Sequence, residues 1–391
     1  MNVLSLNPGS SSLKFAVHVI GSAGEDRCPI RGVLERLGTS EAVLRIDGDA
    51  GEHSVKPVGN VRLSQAVKHA VDSCASVASI EAVGSRVVHG GPRFSEPTLV
   101  DDEALEAIKS LSPLAPLHNS RDVETIEGAQ KVLGHLPVVA VFDTGFHRTL
   151  PPTAANYALP KDLVEAHKLR RYGFHGISYR FVSELLRAKP GSKADRLVVC
   201  HLGSGASACA ILNGESIDTS MGMTPLEGLV MGTRSGDVDP GLILYLEREL
   251  HIHMREIDRL LNSQSGLAGL SGLSDDVREL ERAAAKGHQP SELALEVFAY
   301  RIAKYIGAYS VALEGLDMLA FCGGIGENSA SVRQRICRRL SFMGVQLGDA
   351  NAAPDLAGGS ARVDANGQIP IWVVKTDEER QIARETVSRL S

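Results

Sequence analysis

Leu197-Val198-Val199-Cys200-His201-Leu202-Gly203-Ser204-Gly205-Ala206-Ser207-Ala208-Cys209-Ala210-Ile211 is the stretch that decides the fold. Leu197 to Cys200 reads as a buried strand, Gly203-Ser204-Gly205 as a turn, and Ala208 to Ile211 as a second strand. Asn213-Gly214 then signals a hairpin into Glu215 to Asp218. The glycine spacing from Gly203 to Ala208 would suit a dinucleotide-binding unit only if a helix followed. A strand follows instead, which excludes that fold. The same order stands near the start of the chain: strand Val3 to Leu6, turn Pro8-Gly9-Ser10, strand Leu13 to Val17. Gly9 aligns with Gly203 and Ser10 with Ser204. Gly9 to Lys14 imitates a P-loop, but Leu13 replaces its second glycine and no helix follows. The repeated hairpin predicts a duplicated α/β fold with a cleft between its halves, where turn N–H groups could cradle phosphates.

A chain of 391 residues accommodates two such domains. The net charge of −6 gives no basic field for nucleic acid or anionic membrane. Arg333, Arg335, Arg338 and Arg339 recur at helical spacing and read as a solvated face. No apolar stretch reaches the length of a membrane span, and Met1 to Pro8 lacks a basic leader, so a cytoplasmic protein is expected. The six cysteines form no CxxC pair, and the thirteen histidines no HExxH, so free thiols are expected and a metal held by side chains alone is not.

Helical spacing marks Asp101 to Leu111, Ser120 to Leu133, Tyr179 to Ala188, Pro240 to Leu250, Ser274 to Lys286 and Pro290 to Leu313. Ser274 with Asp275 and Asp276 reads as a helix start. Strand Asp317 to Cys322 leads into Gly323-Gly324-Ile325-Gly326 and a helix from Glu327. Strand Ile369 to Val374 leads into helix Glu378 to Leu390, and Ala350 to Ala361 reads as a surface loop.

Several blocks along almost the whole chain carry a resemblance. They include Asn7-Pro8-Gly9-Ser10-Ser11-Ser12-Leu13-Lys14, Arg86-Val87-Val88-His89-Gly90-Gly91, Ala115-Pro116-Leu117-His118-Asn119 and Phe142-Asp143-Thr144-Gly145-Phe146-His147. Arg171-Tyr172-Gly173-Phe174-His175-Gly176, Met231-Gly232-Thr233-Arg234-Ser235-Gly236-Asp237, Gly324-Ile325-Gly326-Glu327-Asn328 and Thr376-Asp377-Glu378-Glu379 complete the order. The chain resembles the acetate kinases, the acetokinase branch of the actin-like, sugar-kinase and heat-shock-ATPase superfamily. That resemblance implies two duplicated actin-like (ribonuclease H-like) ATPase domains with an active-site cleft between them. Domain limits of 1–148 joined by 377–391, and of 149–376, are expected.

The resemblance further implies reversible phosphoryl transfer from ATP to acetate, giving acetyl phosphate and ADP, in a homodimer using Mg²⁺ or Mn²⁺. It places Asn7 and Glu378 at the metal and Lys14 in the nucleotide site. His201, Leu202, Gly203, Ser204 and Gly205, Asp276, Val277 and Arg278, and Gly324, Ile325, Gly326, Glu327 and Asn328 would line the nucleotide. Arg86 and Arg234 would bind carboxylate and phosphoryl oxygens, with Asp143 and His175 flanking the reaction centre. Val88, Leu117, Phe174 and Pro225 would enclose the acyl tail.

Those residue types suit the chemistry. Phosphoryl transfer asks for alignment and neutralised charge, and arginine forks match carboxylate and phosphate oxygens. A small carboxylic acid is already ionised near pH 7, so no general base is needed. Asp143 is therefore expected to act indirectly, by orienting an arginine or a water on the metal. Ser204, Ser85 and Tyr179 depart from the usual Asn, His and His of the family. Ser204 touches the phosphate turn, whereas Ser85 and Tyr179 lie beside the proposed contacts. A propionate or butyrate kinase is the nearest alternative, and an actin-like ATPase without kinase activity a more distant one.

Overall fold

The computed structural model describes residues 1–21, 26–49, 51–75, 77–112, 119–365, 367 and 369–391. The chain forms two compact units. The first comprises Met1–Phe146, Gly176–Ser178 and Asp377–Ser391, and the second His147–His175 and Tyr179–Thr376.

The first unit holds strands β1 (Asn2–Pro8), β2 (Ser12–Val19), β3 (Arg27–Glu35), β4 (Val43–Gly48), β5 (His53–Pro57), β6 (Ala82–Val87), β7 (Thr98–Leu99) and β8 (Val138–Phe142). The second holds β9 (Arg196–Leu202), β10 (Ala206–Leu212), β11 (Glu215–Thr219), β12 (Met318–Cys322), β13 (Ser360–Arg362) and β14 (Ile371–Val374). The sheets run β5-β4-β3-β2-β1-β6-β8-β7 and β11-β10-β9-β12-β14-β13. Each contains the same kernel, β3-β2-β1-β6-β8 in one and β11-β10-β9-β12-β14 in the other. In both, the first three strands are antiparallel, and the last two run parallel to the strand that opens the unit. This is a duplicated, actin-like α/β architecture.

The central strands β8 and β12 are apolar and buried along their whole length, as strands covered on both faces should be. Helices Leu63–Cys74 and Asn119–Val132 cover one face of the first sheet, adding Ala66, Val67, Ala70, Ile126 and Ala129 to a core with Leu4, Leu6, Phe15 and Val83. Helix Glu378–Leu390, capped by Asp377, turns Ile382, Ala383 and Thr386 inward. A Cβ on Gly84 would fall 2.3 Å from Thr386 Oγ1 and 2.7 Å from Ile382 Cγ2, so glycine is what admits this helix onto β6. In the second unit, Asn213 (φ 52°) and Gly214 (φ 91°) form the tight turn expected between β10 and β11.

Three expectations need correction. The helix expected from Ser274 begins at Val277, because Asp276 rather than Ser274 accepts the free Arg278 N–H at 2.8 Å. The helix expected from Glu327 is two helices, Gly323–Asn328 and Ala330–Arg338, divided by Ser329, which caps the second through Val332 N–H. The basic run is not a solvated face: Arg333 is fully buried. Its Nη1 donates to the carbonyls of Gly326 (2.8 Å) and Glu327 (3.0 Å), and its Nη2 and Nε donate to Asn351 O and Oδ1. A short helix leaves its last carbonyls unsatisfied, and this guanidinium answers them. Arg335 and Arg339 instead pair with Glu296 across the surface.

Arg333→Met keeps the volume and strands these acceptors, so the second unit should lose about 3 kcal/mol. Urea denaturation checks it. An unchanged midpoint would show that Arg333 fills space only.

Candidate active site

In the first unit, strand register brings three polar side chains to one edge of the sheet. β1 pairs with β6 through Leu6 and Ser85, and β6 with β8 through Val87 and Phe142. Asn7, Arg86 and Asp143 therefore fall at neighbouring strand ends. Arg86 donates from Nε (2.9 Å) and Nη2 (2.5 Å) to Asp143 Oδ2, and from Nη1 to Pro8 O (3.0 Å) and Asn7 Oδ1 (3.4 Å). Burial opposes the charge on Arg86, but Asp143 and Glu378 outweigh it and push its pKa up. Burial raises the pKa of Asp143 while Arg86 pulls it back. Asp143 Oδ2 accepts both of these Arg86 bonds and so orients the guanidinium.

The C-terminal helix supplies the acids at this edge. Ser5 Oγ donates to Glu379 O at 2.6 Å, which seats the first helical turn beside β1. Asn7 Nδ2 then donates to Glu378 Oε2 (2.8 Å) and Glu379 Oε1 (2.9 Å). One amide and two carboxylates offer hard oxygens of the kind that hold a hydrated divalent cation. Among the described residues no cluster of three or more His, Cys, Asp or Glu could hold a metal by itself. The set thus fits a cation completed by water and phosphate. Lys14, exposed on β2 opposite Asn7, belongs to this same edge.

In the second unit, Phe174 and His175 sit on a tight turn. Gly173 has φ 73° and His175 φ 58°, and His175 precedes helix Gly176–Arg187. His147 Nε2–H donates to Phe174 O (3.0 Å), so its Nδ1 accepts from Ser216 Oγ (2.8 Å). The His175 ring stacks on His201, with centroids 4.2 Å apart. Its Nδ1 meets Ser207 Oγ at 2.8 Å. A Cβ on Gly205 would lie 3.6 Å from His175 Nε2 and 3.8 Å from Arg234 Nη1, so both side chains reach the Gly203–Gly205 turn.

Arg234 is the unusual charge. Its Nη1 donates to Pro225 O (3.0 Å) and approaches Met231 Sδ (3.5 Å). No carboxylate pairs with it among the described residues, and burial lowers its pKa. Its loop is rigid because Leu267 N–H donates to Met231 O, Ala268 N–H to Gly232 O and Ser265 N–H to Thr233 O, each at 2.9 Å. Gly232 N–H in turn donates to Ser204 O at 2.9 Å, tying this loop to the turn.

A cavity of about 710 Å³ opens beside that turn. Of the expected nucleotide residues, Gly203, Ser204, Asp276, Val277, Arg278, Gly324, Ile325 and Asn328 line it. His201, Leu202, Gly205, Gly326 and Glu327 do not, nor does Lys14 of the first unit. Leu202 and Gly326 pack inward, and Glu327 Oε1 accepts Thr376 N–H at 3.2 Å. For the acyl tail, Val88 is buried in the first unit, Phe174 and Pro225 belong to the second, and Leu117 lies outside the described residues.

A profile described as the acetokinase family matches residues 2–384. The chain belongs to the acetokinase family. An acetate kinase of Ectopseudomonas mendocina (strain ymp) is 47% identical over 100% of this chain and 99% of its own. A propionate kinase of Francisella tularensis has a TM-score of 0.90 at 38% identity, covering 99% of both chains. An acetate kinase of Porphyromonas gingivalis has a TM-score of 0.88 at 38% identity over 100% of both.

Against that acetokinase frame, several side chains at the site escaped the sequence reading. Glu379 was legible only as a neighbour of Glu378. Buried Asp122 accepts Val88 N–H at 2.7 Å, and burial raises its pKa to about 7 despite Arg86. Its signal was a position one helical turn after Asn119. Asp275, Glu281 and Ser329 also line the cavity, and Ser207 holds His175. Tyr179 is not merely adjacent: its hydroxyl bonds Ser207 Oγ.

Burial lowers the pKa of His147 from 6.5 to about 4. The unfolded chain therefore binds the extra proton between those values, and this stability is complete above 6.5 and lost as pH falls towards 4. The term is worth about 3 kcal/mol. The stability gap between wild type and His147→Gln should narrow on acidification over that window in urea titrations. A constant gap would mean that His147 already titrates normally.

Proposed function

We propose that this protein is an acetate kinase, transferring the γ-phosphoryl group of ATP to acetate and running in reverse from acetyl phosphate and ADP. The observation that carries the proposal is Arg234, a half-buried guanidinium whose counter-charge no carboxylate among the described residues provides. Buried cations are costly unless paired, and an anionic substrate would supply the missing charge.

Acetate arrives ionised. One of its oxygens attacks the γ-phosphorus, the bond from phosphorus to the bridging oxygen breaks, and ADP leaves with that electron pair. No proton moves, so no base is needed. Arg234 and His175 donate to the equatorial oxygens where charge concentrates. Arg86, oriented by Asp143, binds a substrate carboxylate or phosphoryl group. The cavity beside Gly203 takes the nucleoside, its acidic wall of Asp275, Asp276 and Glu281 suiting ribose hydroxyls and base amines rather than phosphate. Asn7, Glu378 and Glu379 would hold Mg²⁺ or Mn²⁺, which neutralises phosphate charge when bound. Lys14 adds a cation at the same edge. Val88, Leu117, Phe174 and Pro225 are assigned to the acyl tail. A cytoplasmic homodimer completes the proposal.

Trapping acyl phosphate with hydroxylamine across acetate, propionate and butyrate tests it. Acetate should give the highest kcat/KM, with propionate within about 10–200-fold, since apolar pockets discriminate weakly by one carbon. Propionate ahead of acetate would move the assignment to a propionate kinase, and no hydroxamate from any acid would remove kinase activity. Arg234→Ala should lower kcat/KM by about 10²-fold or more in a folded protein. Near-normal turnover would take Arg234 out of the site. Glu378→Ala should raise the Mg²⁺ concentration needed for half-maximal rate, whereas an unchanged dependence would leave Glu378 as a helix-terminal acid only.

A further inference from the structure

His175 can donate to a phosphoryl oxygen only if its Nε2 carries a proton. A neutral imidazole has one N–H, and the partner of the other nitrogen decides which. Here that partner is Ser207 Oγ, 2.8 Å from Nδ1. Ser207 is fully buried on β10 opposite His201, so its hydroxyl turns on its neighbours rather than on solvent. A serine hydroxyl can donate to Nδ1 or accept from it, and by itself leaves the tautomer open.

The second neighbour of Ser207 Oγ is the hydroxyl of Tyr179. Tyr179 lies one helical turn beyond His175, its N–H donating to His175 O at 3.0 Å, so both side chains share a helix face. It is wholly buried, and burial raises its pKa well above the usual value, so the phenol keeps its proton across the working range. A phenol is the stronger donor of the two hydroxyls. It gives its proton to the Ser207 oxygen, and the single Ser207 proton then points at His175 Nδ1.

We propose that Tyr179 is a positioning residue: acting through Ser207, it fixes His175 as the Nε2–H tautomer, with that N–H directed at the Gly205 turn. The inference rests on the reading of His175 as a donor to the transferred group. It gives the tyrosine that replaces the family's usual histidine a defined task. Other titratable or charged groups of the second unit around this chain are His201 stacked on His175, Arg234 across Gly205, His147 edge-on to Tyr179, and the thiols of Cys200, Cys209 and Cys322.

Tyr179→Phe removes only the hydroxyl and keeps the ring in its packing. In the full-length, substrate-free wild type, two-dimensional ¹⁵N NMR of the imidazoles should show His175 with unprotonated Nδ1 and protonated Nε2. The resonance is assigned by its absence in His175→Gln. Tyr179→Phe should shift both nitrogens towards a mixture of tautomers. Its kcat should fall about tenfold near pH 8 with KM for acetate and ATP within about twofold. That deficit should shrink as acid protonates the imidazole, since the cation carries both N–H groups.

A protonated Nδ1 in the wild type would overturn the proposal. So would a Tyr179→Phe deficit that is independent of pH, which marks a packing role. If the tautomer shifts as expected while His175→Gln keeps full kcat, the relay stands and the catalytic reading of His175 fails.

Discussion

The close approach of helix Glu378–Leu390 to β1 and β6 sets the geometry of the first unit. A residue with a side chain at Gly84 would push Ile382 and Thr386 off the sheet. Because the helix lies flat there, Ser5 can hold Glu379 O and Asn7 can reach both Glu378 and Glu379. The acids are thus positioned by packing some distance along the helix. Their place at the sheet edge depends on the bare Gly84 as well as on the bonds from Ser5 and Asn7.

The two arginines of the proposed site illustrate opposite ways of holding a cation. Arg86 has its charge answered within the protein by Asp143, and spends further donors on Pro8 O and Asn7 Oδ1. Arg234 donates to neutral acceptors, Pro225 O and Met231 Sδ, and its loop is kept in place by backbone bonds to residues 265–268. Rigid backbone here fixes the position of Arg234, as Asp143 fixes that of Arg86, but leaves its charge unanswered. The first arrangement fixes direction, and the second would leave charge available to an anionic substrate. Catalysis of phosphoryl transfer draws on both, because alignment and neutralisation are separate requirements.

Much of this was legible in residues alone. The hairpins around Gly9 and Gly203 carried the duplication, because small-residue turns between apolar runs leave few alternatives. Helix Glu378–Leu390 was equally clear from its acidic start and apolar spacing. The break at Ser329 was not, since Glu327 and Asn328 continue a helical pattern and only the Ser329 side chain competes for the next free N–H. Arg333 was misread because periodicity reports which residues share a face, not what that face meets. The peripheral strands β3 to β5 alternate polar and apolar residues weakly, with β5 exposed along almost its whole length, and escaped notice. At the site, blocks of adjacent residues were recognisable, while Asp122 and Ser207 matter through partners remote in sequence.

Residues 377–391 complete the first unit, yet the strand just before them, β14, belongs to the second. The two units therefore close in reverse order along a growing chain. By the time residue 376 has left the ribosome, every residue of the second unit has been made. The first, although begun earlier, still lacks the helix that covers β1 and β6 and both acids beside Asn7. A chain stopped at residue 376 would hold every residue of the cavity beside Gly203, while Glu378 and Glu379 would still be missing beside Asn7.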